Sequence, residues 1–340
     1  TEHGRQQLSE AVLDYATTTW ADWMNPEGTL PIRHNTYLKA WQLTSPKLDL
    51  DYITMDECQD ADPLMLAIVL NQDCQRILVG DEAQSIYAWR GATSAMRALP
   101  EANRAQLTQS FRFGPEVAAE AQKWLNLLGS TMTISGNPAK RSTVTEKVYG
   151  PDAVICRTNA GAIVEVLDAL EAGVHVGIAG ERKAQELVKL AKAAVDLKEK
   201  GRTSHPDFQI FGSWDELVDY SKTDDGQELG SFVNLVNRFG GMRMVRAIES
   251  CNMQSANLVV STAHIAKGLE WGSVQVASDF TPPKLKTEEL EEGAEEVKEF
   301  RAEEARLAYV TVTRAKERLG TGDADKGLAW INNPGRIELI

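Results

Sequence analysis

The sequence predicts an α/β fold built on parallel sheets flanked by helices, with one small, mostly helical insertion. Three observations carry this expectation. Short apolar runs alternate with helical stretches over much of the chain, the rhythm of strand–helix–strand units. Two of those runs, near 51–55 and 76–79, end abruptly in acidic and amide side chains. That rhythm breaks over about 182–250, where helical stretches near 183–199, 213–221 and 228–238 follow one another without strand signals.

The two acid-ended runs organise the reading. Each is short enough for a buried strand of a parallel sheet. In open α/β sheets, ligands sit beyond the carboxyl ends of the strands. Neighbouring strands would bring Asp56, Glu57, Asp81 and Gln84 to one sheet edge. Adjacent carboxylates there suit a magnesium ion and an activated water, the equipment of phosphoryl transfer. A solvated turn is the plainer alternative for the first stretch alone. The second stretch at this spacing weighs against it.

Length and composition set limits. A chain of 340 residues has room for two or three domains. Its 43% hydrophobic and 25% charged residues are those of an ordinary globular protein. No run approaches eighteen apolar residues, so no membrane span is expected. Cys58, Cys74, Cys156 and Cys251 form no CxxC pair, which argues for a reducing compartment, cytoplasm or nucleus, and against zinc. A net charge of −13 disfavours general adhesion to nucleic acid but allows a narrow DNA channel. Much of the acidity crowds between Glu288 and Glu304, read as a solvated helix face and loop.

In order, residues 1–24 read as a helix with Leu8, Val12, Tyr15 and Ala16 at helical spacing. A turn at Asn25–Gly28 precedes a helix near 34–44, where Tyr37, Leu38 and Trp41 are expected in the core. After the strand at 51–55, Asp62-Pro63 opens a helix to about 71. The strand at 76–79 leads to Tyr87, Trp89 and Arg90, which suit a stacking platform for bases. Pro115 fits the first turn of a helix reaching about 128, and 130–150 is a polar loop or short strands. A strand over Val154–Thr158, a helix over 160–171 ended by Gly173, and a strand over 174–179 come next. Beyond the helical segment, a buried strand from Asn257 enters a loop holding His264, Lys267, Gly268 and Glu270, and Val274–Ala277 continues the sheet. An acidic loop over 281–297, a helix through 303–316, a strand near 317–321 and a short helix near 326–332 close the chain.

Read together, these blocks resemble UvrD/Rep-like superfamily 1 DNA helicases. Asp56–Asp60 resembles motif II, and Gly80–Ala92 resembles motif III. Leu107-Thr-Gln-Ser-Phe-Arg112 resembles motif IV, with Gln109-Ser110 in place of the commoner asparagine form. Residues 262–271 resemble motif V, and 303–315 resemble motif VI, with Thr311 where the family often has glycine or alanine. The resemblance implies RecA-like motor domains that couple ATP hydrolysis to 3′-to-5′ movement on single-stranded DNA.

It also implies roles. Asp56 would hold Mg2+ through water, and Glu57 would activate the attacking water. Gln84, Arg112 and Arg314 would sense the γ-phosphate of ATP, Phe111 would lie near the adenine, and Glu270 would meet the nucleotide sugar. Gly268 would permit close backbone approach to the nucleotide. Tyr87, Trp89, Arg90, Thr262 and His264 would face DNA. Arg157 and Asn159 are read as structural. The expected organisation is a partial first motor domain at 1–103, carrying a remnant of its accessory subdomain. A second motor domain at 104–181 and 251–340 is interrupted by a small 2B-like insertion at 182–250. The insertion's size resembles that of the F-box DNA helicase or phage branch.

One part of the pattern is missing. No Gly-x-x-x-x-Gly-Lys-Ser/Thr occurs, although a phosphate-binding loop is what cradles the nucleotide. Together with Thr1 as first residue, this leads to the expectation of a fragment, inactive alone, that partners the missing N-terminal motor segment. Single-stranded DNA and single/double-strand junctions are the expected substrates. Two other readings stay open: a non-catalytic DNA- or partner-binding module derived from a helicase, and a P-loop NTPase without a DNA role.

Overall fold

The computed structural model describes residues 2–87, 103–180, 182–223, 226–280, 294–323 and 325–332. Trp89 and Arg90, and most of the acidic stretch, lie outside the described residues. The chain divides into two compact units, Thr1–Asn103 and Arg104–Ile340.

In the first unit, α1 (Glu2–Met24) and α2 (His34–Leu43) precede β1 (Tyr52–Met55), α3 (Pro63–Leu70) and β2 (Gln75–Leu78). The strands pair in parallel from Tyr52↔Gln75 to Met55↔Leu78, so both chain ends leave β1 and β2 at one edge. Asp62 caps α3 by accepting from the Leu64 N–H at 2.7 Å, and Pro63 occupies the first turn, where its lacking N–H costs nothing. Two sequence expectations fail here. β1 alternates exposed and half-buried residues and β2 is mostly exposed, so neither is a buried strand. Tyr37 and Trp41 are 57% and 42% exposed rather than in the core. The physical reason is shared. Among the described residues this sheet has two strands, and the cluster packed on it is small: Cys58, Ala61 and Leu66, with Met55, Leu70 and Leu78 against them.

The second unit is organised by a six-stranded parallel sheet, ordered β3-β8-β7-β4-β6-β5. Its strands are β3 (Thr143–Thr145), β4 (Ala153–Cys156), β5 (Val176–Ile178), β6 (Leu258–Thr262), β7 (Trp271–Val276) and β8 (Ala315–Gly320). β4 is central and buried at all its residues, as a strand covered on both faces must be. Helix α4 (Pro115–Leu127) buries Trp124, which meets Trp330 edge to face with ring centroids 5.2 Å apart. Helix α5 (Asn159–Glu171) ends where Gly173 turns left-handed at φ 75°, a conformation glycine adopts without Cβ strain.

Residues 182–250 fold as α6 (Lys183–Lys200), α7 (Trp214–Tyr220), α8 (Gln227–Phe239) and α9 (Gly241–Ser250). Their Leu187, Ala191, Leu197, Val236 and Met244 join Ile163, Val176 and Val260 in one core. The expected loop around His264 begins instead as one helical turn, α10 (Ala263–Ala266). Likewise α11 (Ala294–Val312) starts inside the stretch expected to be an acidic loop, because Ala294–Val312 continues as helix up to the motif VI residues.

The start of α5 is held by a compact polar knot. Thr158 Oγ1 accepts from the Gly161 N–H at 2.9 Å and donates to Asp279 Oδ2 at 2.9 Å. Asp279 also accepts from the backbone N–H groups of Arg157 (2.9 Å) and Thr158 (2.8 Å). A Cβ at Gly161 would stand 2.0 Å from Asp279 Oδ2. Gly161→Ala is therefore expected to lower stability by about 1–3 kcal/mol, the cost of overpacking and broken buried hydrogen bonds. A denaturant midpoint unchanged in this variant would refute the knot's role.

Candidate functional site

At the carboxyl ends of β1 and β2, backbone bonds join the two loops. The Val79 N–H donates to Met55 O (2.8 Å) and the Cys58 N–H to Val79 O (2.9 Å). Asp56 and Glu57 follow β1 and are exposed. Glu57 takes a left-handed backbone, φ 50°, uncommon for a residue with a side chain and typical of sites where neighbours over-determine the geometry. The Glu57 N–H donates to Asp56 Oδ1 at 2.9 Å. After β2, Asp81 accepts from the Ala83 N–H at 3.0 Å and from Gln84 Nε2 at 2.8 Å.

Gln59, which the sequence reading passed over, lies between these loops and is 1% exposed. Its amide donates to Glu57 Oε2 at 2.6 Å and accepts from the Asp81 N–H at 3.0 Å. Its backbone carbonyl accepts from the Ser85 hydroxyl at 3.2 Å. The acidic and amide residues of both stretches thus do meet at one edge. Tyr87 follows, half-buried. Among the described residues no three His, Cys, Asp or Glu side chains group to hold a metal by themselves. Mg2+ takes one or two carboxylates and completes its shell with water and phosphate oxygens, so it needs no such group. Asp56 is the residue that would hold it.

In the second unit, three separate sequence blocks converge at the amino ends of β7 and β8. Arg112 Nε donates to Glu270 Oε2 at 2.8 Å, and its Nη1 donates to Thr313 O at 3.2 Å. Arg314 is 1% exposed and donates to Val310 O (2.8 Å), Leu269 O (3.3 Å) and Thr313 Oγ1 (2.9 Å). The Trp271 N–H donates to Arg314 O at 3.0 Å, binding the start of β7 to that of β8. Lys316 Nζ lies 3.4 Å from Glu270 Oε1, and Lys140 Nζ donates to Arg112 O at 3.0 Å. A cleft of about 390 Å³ beside them is lined by Lys140, Arg141, Lys316 and Glu317. Hydrogen bonding to Arg112, and then Lys316, holds the Glu270 carboxyl below the usual range. Phe111 is 72% exposed next to Arg112. The edge is therefore cationic, ordered, and supplied with an exposed ring and a carboxylate. Lys140 and Lys316 escaped the sequence reading because lone lysines in polar stretches carry no pattern.

Thr262 and His264 sit at the opposite end of the same sheet. The pairings Cys156↔Thr262 and Ile155↔Val276 put Thr262 level with the carboxyl end of β7, whereas Glu270 precedes its amino end. At about 3.3 Å per residue, Trp271–Val276 separates the two groups by roughly 16 Å. Residues 263–270 make this crossing, with Gly268 at φ 83°. Thr262 is buried and His264 half-buried.

Near Thr262, Arg157 grips Glu304 of α11 with Nε at 2.9 Å and Nη2 at 2.5 Å. Arg157 thus serves structure, linking β4 to α11. Cys156 and Cys58 are buried, which raises their thiols, and burial pushes Cys251 up to about 11. None of these three is poised as a thiolate nucleophile.

Glu165 on α5 is raised to about 7 by burial, then by Asp168 and Asp279. The folded state thus keeps its proton to higher pH than the unfolded chain. Its contribution is full below the unfolded carboxyl pKa and is lost as pH rises through about 7. Stability is expected to fall between pH 5 and 8, and Glu165→Gln should flatten that fall and be the more stable form at pH 8. Thermal melts across this range check it; parallel profiles for the two proteins would contradict it.

A six-stranded parallel sheet with an arginine-lined edge in one unit, and a parallel strand pair ending in acids in the other, fit a RecA-type motor of the helicase class. Comparison with known proteins agrees. Residues 141–321 match the UvrD-like helicase C-terminal domain, and residues 31–99 match the UvrD/REP helicase N-terminal domain. The chain belongs to the UvrD-like helicase family. It is 32% identical over 350 residues to F-box DNA helicase 1 of Gallus gallus, covering 93% of this chain and 34% of that protein. It is 29% identical over 347 residues to F-box DNA helicase protein 1 of Schizosaccharomyces pombe, covering 92% of this chain and 39% of that protein. The chain therefore spans between a third and two fifths of the length of these relatives. No described helix is long and apolar enough to cross a membrane.

Proposed function

We propose that this protein is an ATP-dependent DNA helicase that moves 3′ to 5′ on single-stranded DNA and acts at single/double-strand junctions. The observation that carries the reading is the meeting of Arg112, Glu270 and Arg314, from three distant sequence blocks, at one sheet edge. Cations placed where charge builds on a transferring phosphoryl group are the main catalytic device of such reactions. Arg112 and Arg314 meet the terminal phosphate, Phe111 the adenine and Glu270 the sugar, with Gly268 allowing close backbone approach. Gln84 senses the γ-phosphate. Glu57 takes the proton of the attacking water. Bound at Asp56, Mg2+ would neutralise phosphate charge. Tyr87, Trp89, Arg90, Thr262 and His264 contact DNA, the aromatic residues by base stacking, which tolerates any sequence.

Residues 1–103 form part of the first motor domain, with an accessory remnant at the start. Residues 104–181 and 251–340 form the second, and 182–250 its small 2B-like insertion. The exposure of Tyr52, Ile77 and Val79 around a two-stranded sheet supports a further motor segment, carrying the phosphate-binding loop, that completes the first domain.

Strand displacement by the full-length protein tests this. A duplex with a 3′ single-stranded tail should be unwound with ATP, and one with a 5′ tail should not. Arg112→Ala should slow unwinding by about 10²–10³-fold, the cost of one lost donor to a developing charge, with single-stranded DNA affinity within about twofold. Unwinding that is absent with either tail, or untouched by Arg112→Ala, would overturn the reading.

A further inference from the structure

We propose that Gln59 is a positioning residue that sets the Glu57 carboxylate and joins it to the loop carrying Gln84. The inference rests on Glu57 being the group that activates water. Four observations carry it. Gln59 is 1% exposed, so its amide is committed to partners within the protein. Those partners are Glu57 Oε2 at 2.6 Å and the Asp81 N–H at 3.0 Å, one from each acid-ended loop. Asp81 in turn accepts from Gln84 Nε2 at 2.8 Å, so one chain of hydrogen bonds runs from Gln84 through Asp81 and Gln59 to Glu57. Finally, the surroundings leave this residue little room: Ser85 Oγ donates to the Gln59 backbone carbonyl at 3.2 Å, and any Cβ at Gly80 would come within 2.3 Å of the side-chain Oε1.

The chemistry follows from the partners. Glu57 stands on a left-handed backbone and is exposed, so backbone alone leaves its side chain several rotamers. A buried amide donating to one carboxylate oxygen selects one of them. It also makes the position of Glu57 depend on the loop whose glutamine meets the nucleotide. A shift of that loop reaches Glu57 through Asp81 and Gln59 without contact between Gln84 and the carboxylate. Gln59 touches neither water nor nucleotide in this scheme; it acts through Glu57.

Steady-state ATP turnover by the full-length protein with single-stranded DNA tests this in a double-mutant cycle of Gln59→Leu and Glu57→Gln. Gln59→Leu should lower kcat on the order of 10–100-fold, the scale of a catalytic group misplaced by about 1 Å. KM for ATP, and Kd for a fluorescent ATP analogue, should stay within about twofold. Added to Glu57→Gln, it should cause no further loss, because residues acting as a unit are non-additive. Gly80→Ala, which displaces the amide without altering it, should give the same kcat loss and carries the test if Gln59→Leu fails to fold. Wild-type kcat in Gln59→Leu or Gly80→Ala, or an equal added loss in the Glu57→Gln background, would overturn the proposal while leaving Glu57 as base. Full turnover by Glu57→Gln, or none by the wild type, would overturn the reading beneath it and the proposal with it.

Discussion

The second unit depends on a short crossover. Residues 263–270 carry the chain from the end of β6, over β4, to the start of β7, where a parallel connection ordinarily takes a dozen or more residues. A single turn of helix and a nearly straight return are all that fit. Gly268 supplies the left-handed bend that makes the return possible. With so little slack, Thr262 and His264 are pinned at one end of the sheet and Glu270 at the other. Glu270 then anchors Arg112, whose guanidinium also reaches Thr313, and the Leu269 carbonyl of the same peptide accepts from Arg314. One taut peptide thus ties a cationic edge to the far side of the sheet. In the proposed function, that peptide links the edge that meets the nucleotide to the edge that meets DNA.

Much of this was legible from the residues. β4, with four apolar or small residues and no polar break, is central and buried as its composition demands. The Asp-Pro start of α3, the Gly-Pro start of α4 and the glycine after α5 all fall where capping chemistry puts them. The motif residues Arg112, Glu270 and Arg314 converge although 112 and 314 stand at opposite ends of the unit's sequence.

What was not legible has physical causes. Burial at β1 and β2 depends on how many strands flank them, which a run of four residues does not encode. The same limit applies to Tyr37 and Trp41: helical spacing shows a face, not what covers it. Gln59 was hidden because its role lies in two side-chain hydrogen bonds to different loops, and an amide after a strand looks like any solvated turn. Asp279 and Glu304 were hidden likewise, since their partners Arg157 and Thr158 are more than a hundred residues away.

The central claim is that the acid-ended strands form a phosphoryl-transfer site coupled to DNA. ATP turnover by the full-length protein, with and without single-stranded DNA and beside Glu57→Gln, addresses it most directly. The account predicts turnover that single-stranded DNA stimulates and that Glu57→Gln lowers by about 10²-fold or more. Turnover indifferent to DNA, or undiminished by Glu57→Gln, would contradict it.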